Sequence, residues 1–317
     1  MVRSSVHGHV LHACVLLACP LAACSAHERE CRVSADCASG SCRTDGTCAP
    51  STPGTTDAAR GSRDGAVSAD ARRDGRASLP PDAAAACTNH DDVLERREVT
   101  LGPDLRAPYR VGLGVTVSTA GQRQPDGSRR WDLSGMLTGD ERVETVTLAP
   151  TGQWFADRFP SATYVTRLSQ TQDLLGVFQV GDQALSLLGV VSPVDGPAAT
   201  EIHYAPPVVV LQFPLRAGAR WNTSTMVTGR ILGATLFYQE AYDSLVDASG
   251  VLATPYGEFP VQRVRTVLQR TIGLQITTIR TFTFEGECYG TVGLVSSRDN
   301  EPLEEFTLAA EVRRLTP

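Results

Sequence analysis

Nine cysteines are the most reactive side chains of this 317-residue chain, and they are spread unevenly. Seven fall within the first 48 residues; Cys87 and Cys288 stand alone. Cys31-x5-Cys37-x4-Cys42-x5-Cys48 places four thiols in 18 residues, a segment too short to bury a core. Structural zinc favours cysteine pairs two to four residues apart, and thiolates persist in reducing compartments. The wider spacing therefore reads as a small disulfide-rich module, with three pairings open. Cys87 and Cys288 are left over and are expected to pair with each other.

Little else is equipped for catalysis. Three of the six histidines, His27, His90 and His203, lie beyond residue 23. His90-Asp91-Asp92 has ligand types but reads as a solvated cap at a domain start, and His203, before Tyr204, reads as structural. Glu285-Gly286-Glu287 and Glu304-Glu305 are acidic pairs that could share acid and base roles. Neighbours along a strand point to opposite faces, so these carboxylates are expected to face solvent. No G-x-S-x-G elbow, phosphate loop, dinucleotide-binding glycine pattern or H-E-x-x-H is present. No metal and no cofactor are predicted, and the chain is not expected to be an enzyme. Trp221 is expected to pack in a core, with a ligand-facing role as the alternative.

The N-terminus carries an address. After Arg3, Ala13–Leu21 is a short apolar run, long enough for a signal peptide and too short to span a membrane. Leu21-Ala22-Ala23-Cys24 matches a lipobox. Residues 1–23 then read as a lipoprotein signal peptide, and Cys24 as the lipidated residue, whose several acyl chains would anchor it stably. Ser25, in place of Asp, points to the outer membrane, on either its periplasmic or its surface face. Residues 24–48 become anchor and Cys-rich module.

Residues 49–86 contain no aromatic residue, and five Asp face five Arg. Such a stretch cannot bury enough apolar surface to offset its ordering entropy. It reads as a disordered linker of roughly 30–40 Å reach. The net charge of -6, with arginine as the only basic residue besides histidine, gives no basic patch for nucleic acid.

From 87 to 317 the pattern is all-β. Tyr109, Val111, Leu113, Val115 and Val117 alternate with small or polar residues and are expected on one face. Pro125-Asp126-Gly127 reads as a hairpin turn, with Trp131, Leu133 and Leu137 on the returning strand. Further strands are expected at 141–148, 163–168, 174–180, 184–191, 207–213, 224–230, 235–246, 259–270, 275–285, 291–297 and 305–315. Turns are expected at Gly181-Asp182, Asp195-Gly196-Pro197, Ser249-Gly250 and Tyr256-Gly257. An antiparallel sheet of this size should curl into a barrel or a two-layer sandwich.

Three phrases carry a resemblance: Phe213-Pro214-Leu215-Arg216-Ala217-Gly218-Ala219-Arg220-Trp221, Thr254-Pro255-Tyr256-Gly257-Glu258-Phe259-Pro260-Val261, and Gly290-Thr291-Val292-Gly293-Leu294-Val295-Ser296-Ser297. In order and spacing, residues 200–317 are similar to bacterial envelope lipoproteins of the TapB-like and DUF3108-like β-protein kind. Cys37–Cys42 resembles a short repeat of lipoproteins from myxobacteria-like organisms. The resemblance implies an exported antiparallel β domain and supplies no catalytic residue. The expected function is a membrane-anchored, non-enzymatic lipoprotein that binds an apolar ligand or an envelope partner. Surface adhesion is the alternative, and a hydrolase without a motif is a third reading.

Overall fold

The computed structural model describes residues 91–317, which belong to the second of two units of the chain, Gly75–Pro317. Cys24, Cys31, Cys37, Cys42, Cys48, Cys87, His27 and His90, with the proposed leader, module and linker, lie outside the described residues. In chain order the strands are β1 Arg106–Thr116, β2 Gln122–Arg123, β3 Arg129–Asp132, β4 Glu141–Leu148, β5 Tyr164–Arg167, β6 Leu175–Val180 and β7 Ala184–Val191. They continue as β8 Glu201–Gln212, β9 Arg220–Ile231, β10 Ala234–Thr254, β11 Gly257–Ile272, β12 Gln275–Gly286, β13 Gly290–Ser297 and β14 Leu308–Leu315. Among the described residues the helices are single 3-10 turns at Arg96–Glu98 and Ala156–Arg158.

Twelve strands close an antiparallel barrel in the order β11-β12-β13-β14-β1-β4-β5-β6-β7-β8-β9-β10, with β10 pairing back to β11. Closure leaves these strands no free edge. It is driven by Thr-, Val- and Ile-rich segments that satisfy their backbones only by pairing. The β2–β3 hairpin lies off the ring, and β3 runs parallel to β10 from Gly250↔Arg129 to Ala253↔Asp132.

Tyr164 on β5 and Glu285 on β12 interact although five steps of the ring separate them, so both point inward. The interior is filled. Tyr164, Phe178, Leu187, Val208, Trp221, Val246 and Val264 pack together, joined by Leu94 and Val99 from the segment that precedes β1. That segment is tied down by reciprocal Leu94–Leu215 backbone bonds of 2.9 Å.

The outer wall is also covered over β10–β14. Trp131, Val117, Leu133 and Phe306 pack against Phe259, Val261, Phe282 and Phe284. Four consecutive β11 residues, Val261–Val264, are buried, which one-sided alternation cannot give. Gln262 and Val264 share the inner face with their β12 partners Glu285 and Thr283, while Val261 and Arg263 lie on the covered outer face with Phe284; the bulge between Val246 and Ala248 puts its extra residue on β10. A third cluster, Phe155, Phe159, Val165, Val177 and Leu188, covers β5–β7.

Several expectations need correction. Trp131 does not begin a strand returning on β1, which instead pairs with β14 and β4. Ser249-Gly250 is not a turn but lies inside β10. Gly250 is there because a Cβ would stand 1.8 Å from the Arg129 carbonyl oxygen of β3. Leu113 does not share the burial of Val111 and Val115: it is exposed, beside Gly114 at φ +61°. Nor do Glu285 and Glu305 face solvent. The first is fully buried because its strand is covered on both sides, and the second, in the loop before β14, is half-buried on Arg263.

Candidate functional site

The described residues offer one cleft in which unsatisfied polarity and open volume coincide. Gln262 stands on β11 between Ser249 of β10 and Glu285 of β12. It shares the inner face with Glu285, its cross-strand partner. It lines a cleft of about 670 Å³ together with Asp92, Asp126, Ser128, Ser249 and Glu287. Gln262 is 2% exposed; its Nε2 donates to the Asp92 carbonyl oxygen at 2.8 Å. Its Oε1 is buried and accepts no hydrogen bond. A buried amide oxygen without a donor costs about 1–3 kcal/mol, so this atom is primed for an N–H or O–H donor.

The rim is made of acceptors. Asp126 closes the β2–β3 turn, where its Oδ1 accepts Ser128 N at 2.9 Å and Ser128 Oγ at 2.7 Å. Those two bonds hold its carboxyl below the usual aspartate range. An ammonium or guanidinium group fits this set better than an anion does. Among the described residues, no group of three or more His, Cys, Asp or Glu could hold a metal ion.

Below Gln262, Glu285 is the most perturbed carboxyl. Burial pushes it up to about 7, opposed by the hydroxyls of Thr283 and Thr291. Thr291 Oγ1 lies 3.0 and 2.9 Å from its two oxygens. Tyr109, which donates to Thr291 O at 2.6 Å, is raised to about 12 by burial and by Glu285. A second polar cluster sits further along the interior. Glu240, fully buried, accepts Arg270 Nε at 2.7 Å and Tyr242 OH at 2.5 Å. Burial and the Glu240 charge also raise Tyr204 and Tyr238. Both networks bond a buried carboxyl to hydroxyl or guanidinium groups of its neighbours.

Of the residues singled out in the sequence, Trp221 is buried, and its Nε1 donates to Val209 O at 3.0 Å. Phe259 is also in the core. His203 binds Glu201 at 3.0 Å and stacks on Phe159 at 4.5 Å, in a surface ion cluster with Arg158 and Arg230. Cys288 is disulfide-bonded, and its N donates to Glu98 O at 2.8 Å. As no other cysteine occurs in residues 91–317, its partner lies outside the described residues. Sequence reasoning missed Gln262: nothing in Pro260-Val261-Gln262-Arg263 signals that the segment around Asp92 covers it.

No family model matches the chain, and no curated protein and no solved structure matches it either.

Proposed function

We propose that the chain is an envelope lipoprotein, anchored through Cys24 and without chemistry of its own, whose barrel offers the Gln262 cleft to a cationic group on an envelope partner. The observation that carries this reading is the buried, unpartnered Gln262 Oε1 in an acceptor-lined cleft. An apolar cargo inside the barrel is the weaker reading, because ring-closing side chains such as Tyr164, Trp221, Val246 and Val264 already meet across the interior. Membership of the TapB-like and DUF3108-like group, an outer-membrane location and the Cys87–Cys288 pair belong to the same proposal. Two free thiols in the oxidised mature protein would remove that pair.

The test is photo-crosslinking in the native envelope from a reactive residue placed at Ser128, with Asp182, outside the cleft lining, as control. A discrete protein adduct is expected from Ser128 alone. It should be lost on Asp126→Arg, a charge reversal at an exposed site that spares the core. An adduct that survives the reversal overturns the cleft reading. A lipid recovered stoichiometrically from the purified protein would restore the cargo reading.

A further inference from the structure

Two neighbouring hairpins carry apolar residues where both solubility and backbone conformation argue against them. The β9–β10 turn is Ile231-Leu232-Gly233-Ala234, closed by the pair Ile231↔Ala234. The β11–β12 turn is Ile272-Gly273-Leu274-Gln275, closed by Ile272↔Gln275. Because Gln239 of β10 pairs with Thr271 of β11, the two tips lie at the same end of the barrel, the β9–β10 tip running further out. Leu232 is 75% exposed, Leu274 fully exposed, and Phe237 and Ile276 are 69% and 60% exposed just behind them. Ile231 and Ile272 complete the patch.

Leu232 also sits at φ +49°, followed by Gly233 at φ +79°. Both central residues at positive φ make the kind of two-residue turn that Asn-Gly or Asp-Gly builds at least cost. A leucine there is strained by its Cβ and exposes its side chain to water. Two separate costs are thus met at one position, and both are offset if the side chain enters an apolar phase.

The charge pattern says which phase. Acidic residues outnumber basic ones in the chain, 35 to 29. Yet Trp221–Gln239 and Thr266–Phe284 contain no Asp or Glu, and their charged residues are Arg230, Arg270 and Arg280. Arg230 reaches Glu201 and Asp195 on neighbouring segments, at 3.4 and 3.9 Å. Arg270 reaches the interior Glu240, and Arg280 donates to the Glu301 carbonyl oxygen at 3.1 Å. Apolar tips with arginines behind them and no carboxylate of their own match an interface of acyl chains below anionic headgroups.

We infer that this end of the barrel docks on an anionic lipid surface, with the Leu232 and Leu274 tips inserted among the headgroups. Ile272 lies ten residues along β11 from Gln262, roughly 30 Å away, so the docking is separate from the cleft and independent of the proposed lipid on Cys24.

The test uses the full chain with Cys24→Ala, so that no lipid is attached there, and with Leu274→Trp as a local reporter. Trp131 and Trp221 are buried and Trp154 is half-buried, so the Cys24→Ala chain without Leu274→Trp supplies the background to subtract. Vesicles of phosphatidylcholine alone are compared with vesicles containing 30% phosphatidylglycerol. A blue-shifted emission, quenched by brominated acyl chains, is expected on the anionic vesicles only. Adding Leu232→Ser should weaken partition by about tenfold, the worth of one partly buried leucine. Absence of a shift, or an equal shift on both vesicle types, overturns the inference. So does a shift produced by raising protein concentration without vesicles, which would place a second copy on this face.

Discussion

The outer and inner faces of β11 and β12 each bury a charge and treat it in opposite ways. Outside, Arg263 is 1% exposed and answered in full. It donates to Asp247 at 2.9 and 2.7 Å, to Glu305 at 2.7 Å and to Thr119 O at 2.6 Å. Its guanidinium also lies 4.3 Å from the Phe282 ring centre and 5.2 Å from that of Trp131. Inside, Glu285 is just as buried but is met by threonine hydroxyls, and its carboxyl is pushed up to about 7. Burial alone therefore does not set the charge state. The number of charged partners within reach does, because only they offset the loss of water.

The largest effect should come from breaking the outer group. Arg263→Met leaves Asp247 and Glu305 partly buried without their cation, and the chain should lose about 3–5 kcal/mol in urea unfolding. Replacing all three residues with apolar or neutral side chains of similar size should recover most of that loss. If the single variant unfolds like the parent, the outer cluster is not the fully satisfied site described.

The inner face should show itself through pH. A carboxyl kept neutral in the fold holds a proton that the unfolded chain has released above its ordinary value of 4.5. Stability should accordingly fall as pH rises from about 4.5 to about 7, and be level on either side. The gap corresponds to about 3 kcal/mol. Glu285→Gln should flatten this slope and make the protein more stable than the parent at pH 8. A parental slope that persists in the variant assigns the titration to another group.

Smaller effects sharpen the contrast between interior and surface. Trp221→Phe keeps the ring in the core but leaves Val209 O without its donor, and should cost about 1–2 kcal/mol by thermal unfolding. Arg130 and Glu258, an exposed pair at 2.5 Å, mark the lower limit. Water screens them, and Arg130→Ala should leave the urea midpoint unchanged.

Much of the fold was legible in the chain because strand formation here is local. β4 and β7 begin and end where alternation and turn residues put them, and Pro125-Asp126-Gly127 does close the β2–β3 hairpin. The site was not legible. Gln262 reads as one polar residue in an alternating strand, and Glu285 as one of two carboxylates of a strand that face solvent. Their burial depends on what covers them: Asp92 and Leu94 at one end, and residues from the opposite wall of the barrel.

By itself, then, the sequence determined that the region from 87 to 317 is all-β, where most of its strands turn, and that Trp221 is core. Only the tertiary structure decided that the strands close into a barrel, that β3 lies parallel on β10, and that both faces of β11 are buried. The reason is range. A period of two residues is written in neighbouring side chains, whereas closure and two-sided burial depend on contacts between segments more than a hundred residues apart.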